Sequence, residues 1–304
     1  MSHLGVVVNP VAGKGRGSGV GAAALEALRR RGHRVEDLTA QDLLTATAHA
    51  RRAAVAGLDA LVVVGGDGLV HLGANVVADT DLPLGIVAGG TGNDVARALA
   101  LPRGDVARAV AAIERGLGDG PRAIDAVSVG SPRHSAREWY LGALSCGIDA
   151  AINARANALT WPRGAARYVR ALVPELRAFE PYGYRLTTDE GVWESAGTVV
   201  VVANGPWIGG GVHIAPDARL DDGLLDVVVA GPFTKAGVVR IFPGMYRGRH
   251  VRHPQVQVLR SRRVVVEPAP HLGGTPPEAH ADGERIGPLP LVAEVHPGAV
   301  RVLA

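Results

Sequence analysis

The chain has 304 residues, with 32 Lys and Arg against 29 Asp and Glu, so its net charge is only +3. It is 47% hydrophobic, which excludes a disordered chain, so its 41 glycines must have structural reasons within a fold. The small net charge gives no argument for nucleic acid as a partner. The single cysteine, Cys146, excludes an internal disulfide and a Cys/His zinc site.

No apolar run reaches the 18 residues that a membrane-spanning helix needs. Residues 1–10 lack the charged and then apolar pattern of a secretory signal. We therefore expect a soluble, cytoplasmic protein.

The first 125 residues alternate between short apolar runs and helical patterns. Ala60–Val64, for example, is continuously apolar, as is typical of a strand buried on both faces. The predicted strands are Leu4–Val8, Arg34–Leu38, Ala60–Val64 and Pro83–Val87, and the predicted helices are Val20–Arg31 and Leu43–Ala56. Strands separated by helices of this length predict βαβ units and a doubly wound, Rossmann-like parallel sheet.

The pattern changes near Ala123, after which most apolar runs are short and separated by Gly, Pro or Asp. These runs predict strands at Ala123–Val129, Trp139–Leu144, Tyr184–Thr188, Thr198–Ala203, Leu224–Ala230, Val256–Leu259, Arg263–Glu267 and Leu291–Val295. One helical interruption, Ile152–Phe179, is predicted among them. We expect an α/β domain over residues 1–125, a mainly antiparallel β-sandwich over residues 126–296, and a segment 297–304 that returns to the first domain. A cleft between the two domains is the expected site.

Three glycine-rich loops follow strands of the α/β domain. They are residues 9–17, Gly65–Gly68 and Gly89–Asp94. Open α/β sheets bind ligands at the carboxyl ends of their strands, where backbone N–H groups of such loops approach anions. Three loops at one edge therefore indicate a polyphosphate. Asp67, in the second loop, would repel phosphates unless a cation bridged them, so it also implies Mg²⁺.

For the first loop alone, simple turn formation remains an equal alternative. Gly17-x-Gly19-x-x-Ala22, with Asp37 further on, also resembles a degenerate dinucleotide fingerprint. Eight residues separate that pattern from the preceding strand, however, whereas the fingerprint opens directly after its strand. It also leaves the other two loops unexplained.

The motifs together resemble the diacylglycerol kinase family, which is related to sphingosine and ceramide kinases. The resemblance is carried, in chain order, by Asn9-Pro-Val-Ala-Gly-Lys14, Gly65-Gly-Asp-Gly68, Gly89-Gly-Thr-Gly-Asn-Asp94, the stretch from Asn204 to Asp226, and Asp282-Gly-Glu284. It covers essentially the whole chain. It implies a kinase that transfers the γ-phosphoryl group of ATP to the hydroxyl of diacylglycerol or a similar lipid alcohol.

The resemblance implies that the N-terminal domain binds ATP and that the lipid enters the cleft. The implied nucleotide-binding residues are Asn9, Pro10, Gly13, Lys14, Thr39, Gly65, Gly66, Asp67, Gly68, Leu69, His71, Gly90, Thr91, Gly92, Asn93 and Asp94. Asp67 would organise the catalytic Mg²⁺, supported by Asp94. Two alternatives stay open: Asp94 caps the helix that follows it, and Thr39 caps or turns the chain before Leu43.

Glu284 is implied as the general base that accepts the proton of the lipid hydroxyl. It is alternatively an ordinary residue of a hairpin turn, and spacing alone does not favour it over Asp282. The resemblance also implies a second, structural Mg²⁺ bound by the carbonyls of Arg219 and Leu224 and by the Asp222 side chain. A hairpin turn at residues 221–223 is the alternative.

Two positions depart from the family pattern. Leu69 stands where many relatives have Thr, so a hydroxyl that could touch phosphate is lost and weaker nucleotide contacts are expected. His71 stands where Asn is frequent, and we interpret it as a neutral imidazole facing solvent.

Two basic and aromatic segments are candidates for transient peripheral membrane contact at the inner face of the membrane. They are residues 152–179, with Trp161 and five arginines, and residues 242–252. A solvated basic helix and a subunit contact are the alternatives, and a homodimer is an open expectation. Two other functions also remain open: an NAD kinase-like enzyme, whose fold is related, and a catalytically weak nucleotide-binding regulatory protein.

Overall fold

The computed structural model describes residues 1–9, 18–161 and 165–304, and the side chains of Ser18 and Ala165 are not described. The chain forms two compact units: one comprises residues 1–126 and 297–304, and the other comprises residues 127–296.

The first unit is a parallel α/β sheet. Its elements are β1 (His3–Val8), α1 (Ser18–Arg30), β2 (Arg34–Asp37), α2 (Leu43–Gly57), β3 (Ala60–Gly65), α3 (Asp67–Val77), β4 (Leu84–Ala88), α4 (Asp94–Ala98), α5 (Val106–Asp119) and the start of β5 (Arg122–Gly130). The strand order is β2-β1-β3-β4, and the end of the last strand, β18 (Leu291–Leu303), lies parallel to β4 with Val302 opposite Leu84.

The core of this unit explains the continuous apolar runs. Strands β1, β3 and β4 each have helices on their faces, so nearly all of their side chains are buried. One core cluster joins Leu4 and Val62 to Leu28 of α1 and Ile113 of α5. The parallel Rossmann-like sheet predicted from the sequence is confirmed.

The second unit is an antiparallel β-sandwich, also as predicted. Its elements are the end of β5, β6 (Glu138–Tyr140), β7 (Ala143–Gly147), α6 (Ile148–Ala158), α7 (Ala165–Ala178), β8 (Tyr182–Thr188), β9 (Gly191–Gly197), β10 (Val199–Ala203), β11 (Trp207–Ile208), β12 (Val212–His213), β13 (Leu225–Ala230), α8 (Lys235–Met245), a 3-10 turn at Arg249–Arg252, β14 (Val256–Ser261), β15 (Arg263–Pro268), β16 (Ala279–Ala281), β17 (Glu284–Gly287) and the start of β18.

One sheet of the sandwich has the order β14-β13-β10-β7-β16-β17, and the other contains β18, β15, β8 and β9. Every second residue of β10 and β13, such as Val200 and Val227, packs with Tyr184 and Val264 of the other sheet in a single core cluster. The alternate residues of the same strands, such as Val201, contribute to a second cluster on the outer face of their sheet. Both faces of β10 and β13 are therefore buried, and their sequences are correspondingly apolar.

Three predicted elements of this unit are wrong in detail. Helix Ile152–Phe179 is two helices, α6 and α7, and the sequence between them contains Pro162 and Gly164, which interrupt helical patterns. The predicted strand Trp139–Leu144 is divided between β6 and β7. The expectation of a single helical interruption misses α8, whose sequence contains Gly237, Pro243 and Gly244, residues that interrupt helical patterns.

Candidate active site

The three glycine loops of the first unit start from neighbouring strand ends. The N–H of Asn9 donates to the carbonyl of Val64 at 3.2 Å, and the N–H of Gly89 donates to the carbonyl of Gly65 at 2.9 Å. These bonds continue the parallel pairing of β1, β3 and β4 by one residue. The loops therefore begin side by side at the carboxyl edge of the sheet, where α/β proteins bind ligands.

Gly66 and Gly90 bring two of these loops into backbone contact. A Cβ atom on Gly90 would lie 2.3 Å from the Cα of Gly66, so no side chain fits there. Gly66 also precedes α3, and no side chain provides a capping bond at this helix end in the described part of the chain. Close packing of glycine backbone beside the N-terminus of an 11-residue helix gives an anion access to N–H dipoles.

Asp67 and Asp94 meet at the start of α4. One Asp67 carboxylate oxygen accepts the backbone N–H groups of Asp94, at 2.7 Å, and of Val95, at 3.3 Å. The Asp94 carboxylate is 2.5 Å from the Arg97 guanidinium and is buried. The interpretation of Asp94 as a helix cap is therefore wrong: α4 begins at Asp94 itself, and Asp67 binds its first N–H groups.

Asn93 shapes the third loop. Its side-chain oxygen accepts the Gly90 N–H at 3.0 Å, and its amide nitrogen donates to the Gly90 carbonyl at 2.9 Å. The residue has φ of +55°, a conformation that Asn tolerates better than most side chains. Thr91, between these two anchors, is exposed, and Gly92 is half-buried.

Thr39 acts on the first loop, and not on a helix. Its hydroxyl accepts the N–H of Val8 at 3.0 Å, one residue before Asn9. Helix α2 is capped by Asp42, whose carboxylate accepts the Thr45 N–H at 2.8 Å. Thr39 therefore does not cap α2, whereas its N–H donates to the Asp37 carboxylate at 3.0 Å, which is consistent with a turn at this point.

The two departures from the family pattern lie on the buried side of α3. Leu69 is 2% exposed, and its side chain packs under Gly65. His71 is 7% exposed, which corrects the expectation of an imidazole facing solvent. Three predicted nucleotide-binding residues, Pro10, Gly13 and Lys14, lie outside the described residues.

Glu284 begins β17, directly after the two-residue turn formed by Asp282 and Gly283. The turn residues have φ of +51° and +90°, and Ala281 pairs with Glu284 across the hairpin. Glu284 is half-buried, and no side chain of the described residues bonds to its carboxylate. The hairpin interpretation and a catalytic role are thus compatible.

The Asp282 carboxylate, in contrast to that of Glu284, is bound to backbone N–H groups. It accepts the N–H groups of three consecutive residues, Leu141 at 2.9 Å, Gly142 at 2.9 Å and Ala143 at 3.3 Å. A carboxylate bound in this way is a poor candidate for a base, because its lone pairs are already engaged. The geometry supplies the distinction between Asp282 and Glu284 that spacing does not.

The Asp222 loop lies between β12 and β13. Because β13 pairs with β10 and β14, the loop is not a hairpin, and that alternative is wrong. The Asp222 carboxylate accepts the Leu224 N–H at 3.1 Å and also pairs with the Arg260 guanidinium. Gly223 has φ of +70°, which produces a tight turn.

Asp226, near the start of β13, is a buried acid next to this loop, and the sequence did not identify it as a site residue. One of its oxygens is buried without a hydrogen-bond partner. Burial raises its pKa; Arg260 opposes the shift, while Asp222 and Asp217 add to it. One unpartnered carboxylate oxygen beside a tight turn suits a hard cation, although Arg260 already pairs with the carboxylates of both Asp222 and Asp226. Within the described ranges no three His, Cys, Asp or Glu side chains form a metal-binding group, so an ion here would need backbone carbonyls, as the resemblance implies.

Sequence reasoning missed Arg97, the Asp282 contacts, and Asn153 and Asn157, whose side chains donate to the carbonyl of Gly283. Of these, only the Asn pair has a detectable sequence signal, namely a spacing of four residues within a predicted helix, which places both on one face.

Two family models match the chain. The model of the diacylglycerol kinase catalytic domain matches residues 3–129, and that of the YegS C-terminal NAD kinase beta sandwich-like domain matches residues 142–304.

Relatives match over nearly the whole length. A diacylglycerol kinase of Mycobacterium tuberculosis is 34% identical over 302 residues, covering 98% of this chain and 93% of the relative. A diacylglycerol kinase of Bacillus subtilis is 24% identical, covering 95% and 92%. A crystal structure of a diacylglycerol kinase from Bacillus anthracis is similar in fold, with a TM-score of 0.71 at 20% identity, covering 99% of this chain and 96% of that chain. The chain therefore belongs to the diacylglycerol kinase family and is a lipid kinase, a phosphotransferase that acts on an alcohol group.

Proposed function

We propose that this protein transfers the γ-phosphoryl group of ATP, in a Mg²⁺-dependent reaction, to the hydroxyl of diacylglycerol or a similar lipid alcohol. One observation carries the proposal: Gly66, Gly90 and Asp67 meet at the strand ends, which joins an anion-binding backbone to a carboxylate. This combination suits a nucleotide whose phosphates carry a metal ion.

In the first unit, the glycine loops would bind the phosphates through backbone N–H groups. Asn9, Thr91 and the loop from Gly65 to Leu69 are the proposed contacts, with Thr39 acting indirectly through Val8. Asp67 would hold Mg²⁺, with Asp94 in support. When bound, Mg²⁺ would neutralise phosphate charge in the transition state. Carboxylate oxygens fit this hard ion.

In the second unit, Glu284 is the proposed general base. A base must accept the proton of the attacking hydroxyl, so its carboxylate must be available. Its freedom from side-chain partners within the described residues meets that requirement, whereas the Asp282 carboxylate is engaged by three N–H groups.

We propose that the Asp222 loop binds a second Mg²⁺ that stabilises the fold. The support is the donor set: the Asp222 carboxylate, the carbonyls of Arg219 and Leu224, and the unpartnered buried oxygen of Asp226 nearby. Mg²⁺ should therefore raise the unfolding temperature. Asp222→Asn should abolish that increase, and Asp67→Asn should retain most of it. An equal increase in wild type and Asp222→Asn would contradict this site.

The acceptor lipid requires access to a bilayer, so we propose transient peripheral contact with the membrane's inner face. In the described part of the chain no helix is long and apolar enough to span a bilayer. Around α7, Trp161, Val169 and Val173 are exposed, and the Arg170 guanidinium lies 5.4 Å from the Trp161 ring. Around α8, Phe242 and Tyr246 are exposed. Exposed aromatics beside arginines suit an anionic lipid surface.

Vesicle flotation tests that contact. Vesicles rich in anionic phospholipid should carry the protein upward, and Val173→Asp should weaken this binding. Val192→Asp is the matched control, since Val192 is an exposed valine on β9 of the same unit. Equal flotation of both variants with the wild type would contradict contact through α7, and no flotation of wild type would contradict the proposal.

The main test identifies the acceptor. The protein is incubated with labelled ATP, Mg²⁺ and a total lipid extract, and the labelled product is identified. A product that is diacylglycerol plus one phosphate supports the proposal, with Asp67→Asn as the inactive control. Labelling of added NAD in preference to any lipid would instead support the NAD kinase-like alternative. No labelling at all would support a regulatory protein.

Light scattering measures the oligomeric state, for which we expect a homodimer.

A further inference from the structure

The turn that precedes Glu284 is attached to neighbouring elements on two sides. Since the Glu284 carboxylate has no side-chain partner in the described ranges, its position depends on the turn of Asp282 and Gly283. A two-residue hairpin end is free to move unless other elements hold it. Contacts to this turn therefore bear directly on where the proposed base lies.

The first attachment runs through Asp282 to the loop at residues 141–143. Beyond its three carboxylate contacts, the Asp282 N–H donates to the Ala143 carbonyl at 3.3 Å. The same loop is fixed from behind by Asn204, which is fully buried. The Asn204 side chain donates to the Leu141 carbonyl at 2.8 Å, and its backbone N–H donates to Gly142 at 2.9 Å. The turn is thus tied to the end of β10.

The second attachment runs through Gly283 to α6. The Gly283 carbonyl accepts the side-chain amides of Asn153, at 3.1 Å, and Asn157, at 3.4 Å. The Tyr168 hydroxyl of α7 donates to the Asn153 side-chain oxygen at 3.4 Å. The Gly283 carbonyl can only accept a hydrogen bond, so the Asn153 amide nitrogen faces the turn and its oxygen faces Tyr168.

We propose that Asn153, Asn157 and Asp282 are positioning residues that hold Glu284 in place for proton transfer. The inference rests on the proposed function of Glu284. A base must lie within hydrogen-bond reach of the hydroxyl, and a displacement of about 1 Å can cost up to 10²-fold in rate. Loosening the turn should therefore lower kcat and leave ATP binding unchanged.

The test uses the full-length Asn153→Ala/Asn157→Ala variant. We expect kcat to fall about tenfold while the KM for ATP stays at the wild-type value. Thr188→Ala is the matched control: the Thr188 hydroxyl donates to the Gly191 carbonyl at 3.1 Å in the β8–β9 hairpin of the same unit, so kcat should hold. Two milder variants keep the test independent of any folding defect. Asn153→Asp removes the amide donor at equal size. Asp282→Asn introduces a residue type that tolerates the positive φ of this position.

A double-mutant comparison separates positioning from general destabilisation. If the Asn pair acts through Glu284, it should cause no further loss of rate in a Glu284→Gln background. An additional tenfold loss there would overturn the inference, as would wild-type kcat in the Asn153→Ala/Asn157→Ala variant. If Glu284→Gln itself kept full activity, both the proposed base and the inference would fail. A Glu284→Gln variant that is inactive beside a fully active double Asn variant would remove the inference alone.

Discussion

We call the proposed nucleotide-binding loops of the first unit the nucleotide half and the Glu284 turn of the second unit the base half; the two are built in opposite ways. Around Gly66 and Gly90 the backbone itself forms the surface, and the carboxylates of Asp67 and Asp94 are bound to N–H groups and to Arg97. Around Glu284 the backbone is held by neighbouring side chains, and the functional carboxylate has no side-chain partner within the described residues. The first arrangement suits binding of a constant ligand, ATP, and the second suits a proton transfer.

This difference predicts where each half should tolerate amino-acid substitution. The nucleotide half contains Gly90, which admits no Cβ atom, so we expect small residues to matter there as much as charged ones. The base half depends on one carboxylate and on the amides that hold its turn. Substitutions should therefore affect ATP binding in the first unit and the rate of transfer in the second.

The largest effect is expected for Asp67→Asn. Asn still accepts the N–H groups of Asp94 and Val95, so the fold should persist, while the charge needed for Mg²⁺ is lost. We expect kcat/KM to fall about thousandfold, on the scale of losing a main electrostatic contact. Steady-state kinetics at several Mg²⁺ concentrations measure it. Asp105→Asn, at the exposed N-cap of α5, is the control; full activity of Asp67→Asn would refute the mechanism.

Gly90→Ala tests whether backbone alone forms the nucleotide half. Its Cβ would lie 2.3 Å from Gly66 Cα, so the two loops must separate. Overpacking of this kind costs about 1–3 kcal/mol, which corresponds to about 5- to 150-fold weaker ATP binding when the cost falls on the bound conformation. Titration calorimetry with ATP measures it. Gly19→Ala in α1 is the control, since nothing lies within 4 Å of its added Cβ, and equal ATP affinity in both variants would contradict the account.

The sequence predicts the nucleotide half well because its signals are local. Glycine clusters directly after apolar strands identify both the sheet and its ligand-binding edge, and Gly65–Gly68 follows β3 as predicted. Partners distant in sequence escape such reasoning. Asp67 binds the start of α4 27 residues away, and so the sequence suggested that Asp94 caps its own helix.

The base half is less predictable, because its contacts also join residues that are distant in sequence. Asp282 and Glu284 are equal candidates in the sequence, and only contacts some 140 residues away in the chain, to Leu141 and Gly142, distinguish them. Helix α8 escapes prediction for a local reason, because Gly237, Pro243 and Gly244 interrupt an otherwise helical apolar spacing. Histidine is a polar residue type, which favours the interpretation of His71 as facing solvent, but its position on α3 is buried.

The smallest expected effect is on the free energy of unfolding, and it concerns two carboxylates with different partners. Asp94 pairs with Arg97, whereas Asp149 of α6 accepts the Ser145 hydroxyl, has one buried oxygen without a partner, and lies near His280. Burial raises the pKa of Asp149; the bond from Ser145 opposes this, as do the backbone N–H groups of Ala150 and Asp149 and, least of all, His280. Asp149→Asn should increase the free energy of unfolding at pH 7 by about 1–2 kcal/mol, because the cost of burying a charge disappears.

The pH dependence of Asp149 has a definite sign. Because its pKa is higher in the folded state, the folded protein keeps this proton when the unfolded chain has lost it. Stability should thus fall as pH rises from the carboxyl's ordinary pKa towards its folded value. Asp149→Asn should flatten that decline, whereas Asp94→Asn, which removes the Arg97 ion pair, should lower stability. Urea unfolding between pH 4 and 8 measures both, and an Asp149→Asn variant with an unchanged pH slope would contradict the assignment.

The most direct test of the division between the two halves is Glu284→Gln, measured for both ATP binding and phosphoryl transfer. We expect ATP affinity equal to that of the wild type and a single-turnover rate about 10²- to 10³-fold lower, since one general base is removed. Glu278→Gln, an exposed glutamate paired with Arg285 on the neighbouring strand, should leave both values unchanged. A Glu284→Gln variant that transfers phosphate to lipid at the wild-type rate would contradict the account.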